Sequence, residues 1–164
     1  MCIIEEKSLV EGEKNMDTYK TINDVLVHLF NEIWELEGKA IITEEYQDIS
    51  NNDMHIIEAI GLGKGKNMSA IAKKLNITLG SLTTSMNSLV KKKYVVRIRS
   101  EEDRRVVYIR LTEKGERAYR HHEEFHTQMT QAVVDKLSEE EIPVLLKTLH
   151  GLSDFFRNYH EQQS

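Results

Sequence analysis

The stretch from Asn67 to Leu111 constrains the fold most, because three different patterns follow one another there with almost no spacer. Asn67-Met68-Ser69-Ala70-Ile71-Ala72-Lys73-Lys74-Leu75 pairs a polar start with Ile71 and Leu75 one turn apart, which predicts a short helix stopped at Asn76. Thr78 is placed to cap a second helix from Leu79 to about Lys92, with Leu82, Met86 and Leu89 on one face. Two short helices across so tight a turn make a helix-turn-helix. Two β-branched runs then flank a charged knot: Tyr94 to Arg99, Ser100-Glu101-Glu102-Asp103-Arg104-Arg105, and Val106 to Leu111. That is the pattern of a β-hairpin. The expectation is a mainly α fold with a small β-hairpin wing, a winged helix-turn-helix over about residues 50–111.

Charge suggests what such an element is for. Between Ala59 and Ser100 there are nine lysines and arginines and no acid. Carried to Arg110, twelve bases face three acids, so this middle keeps +9 while the whole chain is −5 and the remainder is −14. A basic middle within an acidic chain is the footprint of one face meeting phosphate. A lysine-rich surface that is merely solvated would mix signs. On the outward face of the second helix, Ser81, Thr83, Thr84, Ser85, Asn87 and Ser88 present nothing bulky or acidic to a groove. Thr78 continues that polar face at the helix start. A surface helix without this duty favours Glu and Lys for propensity. Asn87 suits an adenine edge, and the threonine methyls of Thr83 and Thr84, or Leu82, suit thymine methyls. With no arginine there to grip guanine, the expected partner is double-stranded DNA carrying an A·T-rich palindromic operator.

The flanks are helical. Residues 1–15 show no sustained period and read as a mobile N-terminal extension, ahead of a single domain over residues 16–164. Ile22, Val25, Leu26, Leu29, Ile33 and Leu36 form one stripe of a helix over about residues 17–39. Ser50 and Asp53 open a shorter helix with Met54, Ile57 and Ile60 inward, which runs out at Gly61-Leu62-Gly63-Lys64-Gly65. Beyond the wing, Thr112 caps a long helix with Ala118, His122, Phe125, Met129, Ala132 and Val133 inward. Ser138-Glu139-Glu140-Glu141 is a capping-box start for a last helix striped by Leu145, Leu149, Leu152, Phe155 and Phe156, with Pro143 in its first turns. These helices, over about residues 17–39 and 112–160, carry more apolar surface than a lone wing domain can bury. They predict a homodimer that sets two recognition helices one DNA turn apart. No apolar stretch approaches the roughly 20 residues a bilayer span needs, and the start lacks a basic signal-like region, so a soluble, cytoplasmic protein with no membrane partner is expected. The single Cys2 forms no internal disulfide or cysteine metal cluster.

Asp103-x-Arg105 followed by Leu111-Thr112-x-x-Gly115 resembles the wing signature of the MarR family of winged-helix regulators, and the helix order agrees over about residues 17–160. The segments DISNNDMHIIEAIG, ITLGSLTTSMNSL, RSEEDRRVV and RHHEEFH resemble, more narrowly, the MarR-type repressors of bacterial fatty-acid synthesis genes. The resemblance implies a corepressor, a long-chain acyl group on acyl carrier protein. It implies that Arg105 enters the minor groove with its guanidinium held by Asp103, and that Arg99 and Arg104 contact phosphate. Lys93 departs from the pattern, since relatives carry glycine at that turn; if the backbone needs a positive φ, Lys93 is strained.

An acyl chain needs an apolar tunnel, for which Leu26, Phe30, Trp34, Met54, Ile57, Phe125 and Met129 are candidates as well as being ordinary core positions. His122 and His126 stand one helical turn apart, the spacing of a metal-binding pair, and some relatives of the family sense zinc; two further ligands are not assignable from sequence, and core or tunnel-lining histidines are the preferred reading. A MarR-type regulator answering to zinc or another small ligand is therefore the alternative. A peroxide sensor needs a reactive cysteine in the first helix, which Cys2 does not supply. There is no phosphate loop or nucleophile elbow, so neither an enzyme nor a cofactor is expected. A protein-interaction module that leaves DNA alone is the remaining class, which steep salt dependence of duplex binding would exclude.

Overall fold

Ser50 starts the winged helix with a reciprocal cap: its hydroxyl accepts from the Asp53 backbone N–H at 3.1 Å, and the Asp53 carboxylate accepts from the Ser50 N–H at 3.1 Å. Two of the N–H groups left over at a helix start are thereby satisfied, which fixes α2, Asn51–Ile60. The accepting half of this device recurs along the chain. Asn67 Oδ1 accepts from Ala70 N at 2.8 Å to begin α3, Met68–Leu75, and Thr78 Oγ1 accepts from Ser81 N at 3.2 Å to begin α4, Leu79–Lys91.

The structure is a computed structural model that describes the backbone of residues 2–161 and the side chains of residues 16–40 and 42–159. Ahead of α2 runs α1, Cys2–Ile41, followed by a short 3-10 turn at Glu44–Tyr46. The helix expected over residues 17–39 lies within α1, whose backbone begins at Cys2, well before the apolar stripe. The thiol of Cys2 lies outside the described side chains. After α4 come strands β2, Val95–Arg99, and β3, Val107–Leu111, then α5, Glu113–Val134, and α6, Glu141–Glu161. A two-residue strand β1, Lys66–Asn67, precedes α3 and makes the sheet three-stranded and antiparallel in the order β1-β3-β2. The wing register pairs Arg99 with Val107 at the tip and Val95 with Leu111 at the base. The fold is thus mainly helical with a small winged sheet. The chain packs as two units, residues 1–122 and 123–164.

The core of the first unit is the inward face of the winged helix: Met54, Ile56, Ile57 and Ile60 from α2, Ile71 from α3, Leu82, Met86 and Leu89 from α4, and Tyr94, Val95, Ile109 and Leu111 from the wing base. Burying such a side chain fully contributes about 1.5–3 kcal/mol each. Two basic residues of the middle segment serve this core rather than a partner. Lys66 Nζ donates to the Ala59 carbonyl at 2.7 Å and Lys74 Nζ to the Glu58 carbonyl at 3.5 Å, closing the last turn of α2. Burial, and then the neighbouring Lys74 charge, hold the Lys66 amine below its ordinary pKa.

The end of α4 is a Schellman turn. Tyr94 N donates to the Leu89 carbonyl at 3.0 Å and Lys93 N to the Val90 carbonyl at 3.0 Å, and Lys93 sits in the left-handed region with a φ of 66°. The positive φ that a glycine would ordinarily fill is therefore carried by a lysine. The Leu111-Thr112-x-x-Gly115 motif explains itself beside this turn. Thr112 Oγ1 donates to the Lys93 carbonyl at 2.6 Å and accepts from Gly115 N at 3.2 Å, capping α5 while tying it to the end of α4. A Cβ at Gly115 would stand 2.1 Å from the Tyr94 carbonyl oxygen, so only glycine lets α5 start this close. The motif is a joint between α4, the wing and α5.

Within the second unit, Ser138 N and its hydroxyl donate to Glu141 Oε2 at 2.8 and 3.0 Å, the predicted start of α6. Those bonds also hold the Glu141 carboxyl below its usual pKa. Along α6, Phe155 meets Phe156 edge-on at 5.5 Å and stacks on Tyr159 at 6.0 Å.

Candidate nucleic-acid interface

Helix α4 divides its residues by face as the 3.6-residue period requires. Leu82, Met86 and Leu89 are fully buried, while Ser81, Thr83, Thr84 and Asn87 are exposed and Ser88 is half-buried. One expectation is corrected here. Leu82 was a candidate for a thymine methyl, but it lies wholly within the core and has no surface to offer a base. Thr83 turns its hydroxyl back to the Leu79 carbonyl at 2.6 Å, so its polar group serves the helix. Thr78 and Ser81 share a hydroxyl hydrogen bond of 3.0 Å beside the N-cap. No acidic side chain lies on α4, and its free N-terminal N–H groups favour an anion nearby.

The wing tip is built by Ser100 and Asp103. Ser100 Oγ accepts from Glu102 N and Asp103 N at 3.3 Å each, and Ser100 N donates to the Val106 carbonyl at 2.9 Å across the loop. Asp103 Oδ1 accepts from the Arg105 backbone N–H at 2.9 Å. This corrects the family-based expectation for Asp103, which holds the backbone of Arg105 rather than its guanidinium. The reason is reach: a short carboxylate closes onto the N–H two residues on as an Asx turn, at no cost in ordering a long arginine side chain. Arg104 and Arg105 are exposed, neither pairs with an acid among the described residues, and Arg99 and Arg104 line a shallow cleft with Ser100 and Glu101. The wing thus offers free guanidinium groups beside the polar face of α4, and the two are joined directly. Arg97 on β2 donates from Nη2 to Asn87 Oδ1 at 2.6 Å. Arg97 entered the sequence reading only as one of nine positive charges; its alternation with Arg99 along the strand was the signal that could have placed it.

Behind this surface a polar network fixes the segment before α2 to the wing base. The Tyr94 hydroxyl donates to Asp48 Oδ1 at 2.6 Å, Lys114 Nζ donates to Asp48 Oδ2 at 3.0 Å, and the Lys114 ammonium lies 4.0 Å from the Tyr94 ring centre. Burial pushes the Asp48 carboxyl up, but the Tyr94 and Lys114 hydrogen bonds outweigh it and hold Asp48 below its usual range. Burial and the Asp48 charge push Tyr94 far up, so it stays a donor.

The histidines gather differently from the one-turn pair read in sequence. His122, only 1% exposed, lies 3.3 Å through Nε2 from Glu37 Oε1, and His55 Nε2 lies 3.7 Å from the same oxygen. Glu58 Oε2 stands 3.6 Å from His55 Nδ1 and 3.8 Å from His122 Nδ1. Glu37, His55 and His122 present ligand atoms within 4.8 Å of one another. His126 packs its ring edge-on against Phe125 at 5.5 Å. Glu37 and His55 were missed because they sit on separate elements, α1 and α2, with no local spacing to announce them.

The tunnel candidates are placed unevenly. Met54 and Ile57 are core residues with no exposure, Phe30 and Trp34 are 50% and 68% exposed on α1, and Leu26, Phe125 and Met129 are half-buried.

Residues 38–121 match the family model described as the transcriptional regulator SarA/Rot. Among solved structures the chain is similar to Streptococcus pneumoniae FabT in complex with DNA, with 40% identity over 86% of this chain and 99% of that one and a TM-score of 0.77. It is similar to the S. aureus MepR–DNA complex at 26% identity, over 78% of this chain and 96% of that one, with a TM-score of 0.60. The uncharacterized HTH-type transcriptional regulator YpoP of Bacillus subtilis is 28% identical over 143 residues, 87% of this chain and 96% of its own length. No helix among the described residues is long and apolar enough to cross a membrane. The family match over residues 38–121, the winged sheet beside an acid-free α4 and the FabT likeness together place this chain in the MarR family of winged-helix transcriptional regulators, as a FabT-like DNA-binding protein and not an enzyme.

Proposed function

We propose that this chain is a homodimeric repressor of fatty-acid biosynthesis genes whose operator affinity rises when a long-chain acyl group on acyl carrier protein binds it. The observation that carries the reading is the 40% identity to DNA-bound FabT across 86% of the chain. Thr84, Asn87 and the methyl of Thr83 read an A·T-rich half-site in the major groove, Arg105 probes the minor groove, and Arg99 and Arg104 hold phosphate. Thr78, Ser81 and Ser88 supply polar contacts along the same helix, and Asp103 sets the backbone from which Arg105 extends.

The dimer is supported by apolar side chains that solvent-facing helices would not keep: Ile22, Val25, Phe30 and Trp34 on α1 and Val144, Phe155 and Phe156 on α6, each 50% exposed or more. Leu26, Phe30 and Trp34 are the α1 residues through which an acyl chain would be felt; Met54 and Ile57, being core, would act only by transmitting its presence. The effector needs no contact with DNA. It raises affinity to the extent that it prefers the dimer whose recognition helices sit at operator spacing. The test is operator affinity of the full chain with and without acyl-loaded carrier protein. A tighter complex with the loaded form alone is expected, and equal affinities would reject the corepressor while leaving DNA binding intact.

A second reading, a metal-responsive regulator, is favoured by one observation, the cluster of Glu37, His55 and His122 with Glu58 beside it. Two imidazoles and a carboxylate are a donor set that suits zinc. Stoichiometric zinc that survives purification and whose chelation changes operator affinity would put this reading first; protein that is metal-free and indifferent to added zinc would remove it.

A further inference from the structure

Arg97 lies on β2, exposed, with its side chain directed at the recognition helix through one bond, Nη2 to Asn87 Oδ1 at 2.6 Å. No carboxylate pairs with it among the described residues, so the Asn87 oxygen is the one described partner that holds its guanidinium. The chemistry of this bond settles something that the shape of an asparagine leaves open. A primary amide is nearly symmetric, and turning it by half a revolution exchanges a carbonyl oxygen for an NH2 group. A guanidinium carries only donors. The edge of Asn87 that faces Arg97 must therefore be the oxygen, and the NH2 group must take the other side.

The flip state decides what asparagine can read. Adenine offers an acceptor, N7, next to a donor, N6, and an amide of one orientation meets both. With the amide free to turn, Oδ1 and Nδ2 exchange places and the same side chain can bridge donor and acceptor of other pairs, including guanine O6 and cytosine N4. We propose that Arg97 is a positioning residue for sequence readout: it locks the amide flip of Asn87 from the wing side and so confines one operator position to adenine. Arg97 reads no base itself. Wing and recognition helix are coupled at this point, because the placement of β2 sets the orientation of a base-reading group on α4. The inference rests on Asn87 being a base-reading residue, as proposed above, and the experiment separates the two.

Operators are first selected from random duplexes with the full-length protein, and each position is then replaced by the other three base pairs. Relative affinities are measured for the parent, Asn87→Ala, Arg97→Ala and the double variant, together with the salt dependence of each. In the parent, replacing the pair that Asn87 reads should weaken binding about 5- to 150-fold. Asn87→Ala should bring that one position near parity and so identify it. Arg97→Ala should bring the same position near parity while the other positions keep their ratios, and in the Asn87→Ala background it should change no ratio further. A uniform weakening across all sequences with a salt slope reduced by about one is what loss of a phosphate contact alone would give, and it would overturn the proposal. So would unchanged discrimination in Arg97→Ala where Asn87→Ala has lost it; that result would leave Asn87 as a reader. If Asn87→Ala loses discrimination nowhere, the base-reading role of Asn87 falls, and this inference with it. The retained ratios at neighbouring positions verify in the same data that the variant is folded.

Discussion

Replacing Lys93 by glycine should stabilise the protein, although it removes a side chain. Lys93 is the left-handed residue of the Schellman turn that ends α4, with a φ of 66°. A residue with a Cβ is strained there by roughly 1–2 kcal/mol, because the Cβ crowds its own carbonyl. Glycine relieves that strain but makes the unfolded chain more flexible, which costs about 0.4–1 kcal/mol. The balance favours Lys93→Gly by about 1 kcal/mol. Nothing in the side chain opposes this, since the Lys93 ammonium makes no hydrogen bond or ion pair among the described residues; its bonds to Val90 and Thr112 are backbone ones that glycine keeps. Lys93→Ala is the matched control, because it removes the same charge and stem but leaves the Cβ. Urea denaturation at fixed protein concentration should show a higher midpoint with an unchanged slope for Lys93→Gly only. The corresponding rise in Tm is about 2–4 °C. Equal stability of the glycine and alanine variants would refute the reasoning, for it would mean that the left-handed backbone carries no strain there.

Gly115→Ala should lower stability by about 3 kcal/mol or more in the same denaturation assay, since its Cβ would stand 2.1 Å from the Tyr94 carbonyl oxygen, a backbone atom that cannot swing aside. Tyr94→Phe should cost about 1.5–3 kcal/mol near neutral pH by removing the hydroxyl bond to ionised Asp48. Because the Asp48 pKa is lowered on folding, its contribution is present above the unfolded value near pH 4 and is lost as pH falls through the folded one, so the Tyr94→Phe deficit should shrink in acid and persist above about pH 5. Leu82→Ala should cost about 2–5 kcal/mol of stability, whereas Thr84→Ala on the outer face of the same helix should leave stability within about 0.5 kcal/mol and weaken operator binding. Stability curves and duplex titrations on the two variants check that division of faces.

The winged helix was legible because each of its parts announces itself locally. Leu82, Met86 and Leu89 mark a helix face, Ser50 and Thr78 mark caps, and Val106 to Leu111 marks a strand. Strand β1 was not legible, because two residues, Lys66 and Asn67, have no period; it exists only through pairing with Tyr108 and Ile109. The turn at Glu44–Tyr46, three residues long, was not legible for the same reason. Asp103 and Arg105 were read as an ion pair because the spacing that permits one also permits an Asx turn, and only the folded loop separates the two. The residues joined across elements gave weaker signals: Arg97 is only ten residues from Asn87 and its strand alternation hinted at its face but not its partner, whereas Glu37, His55 and His122 lie on three helices and no local pattern joins them. Lys93 is the instructive opposite, since its departure from a glycine pattern pointed to a positive φ before any backbone was seen.

In the proposed repressor the α4 face and the wing act together on DNA. The most direct measurement is the affinity of Arg105→Ala for the selected operator, with its oligomeric state determined in the same buffer. Arg105 is exposed and its side chain pairs with no acid among the described residues, so removing it should leave fold and assembly as they are. A weaker operator complex formed by an intact dimer, with a shallower salt dependence, is expected. Binding equal to that of the parent protein would contradict it and would make the wing an ordinary surface hairpin.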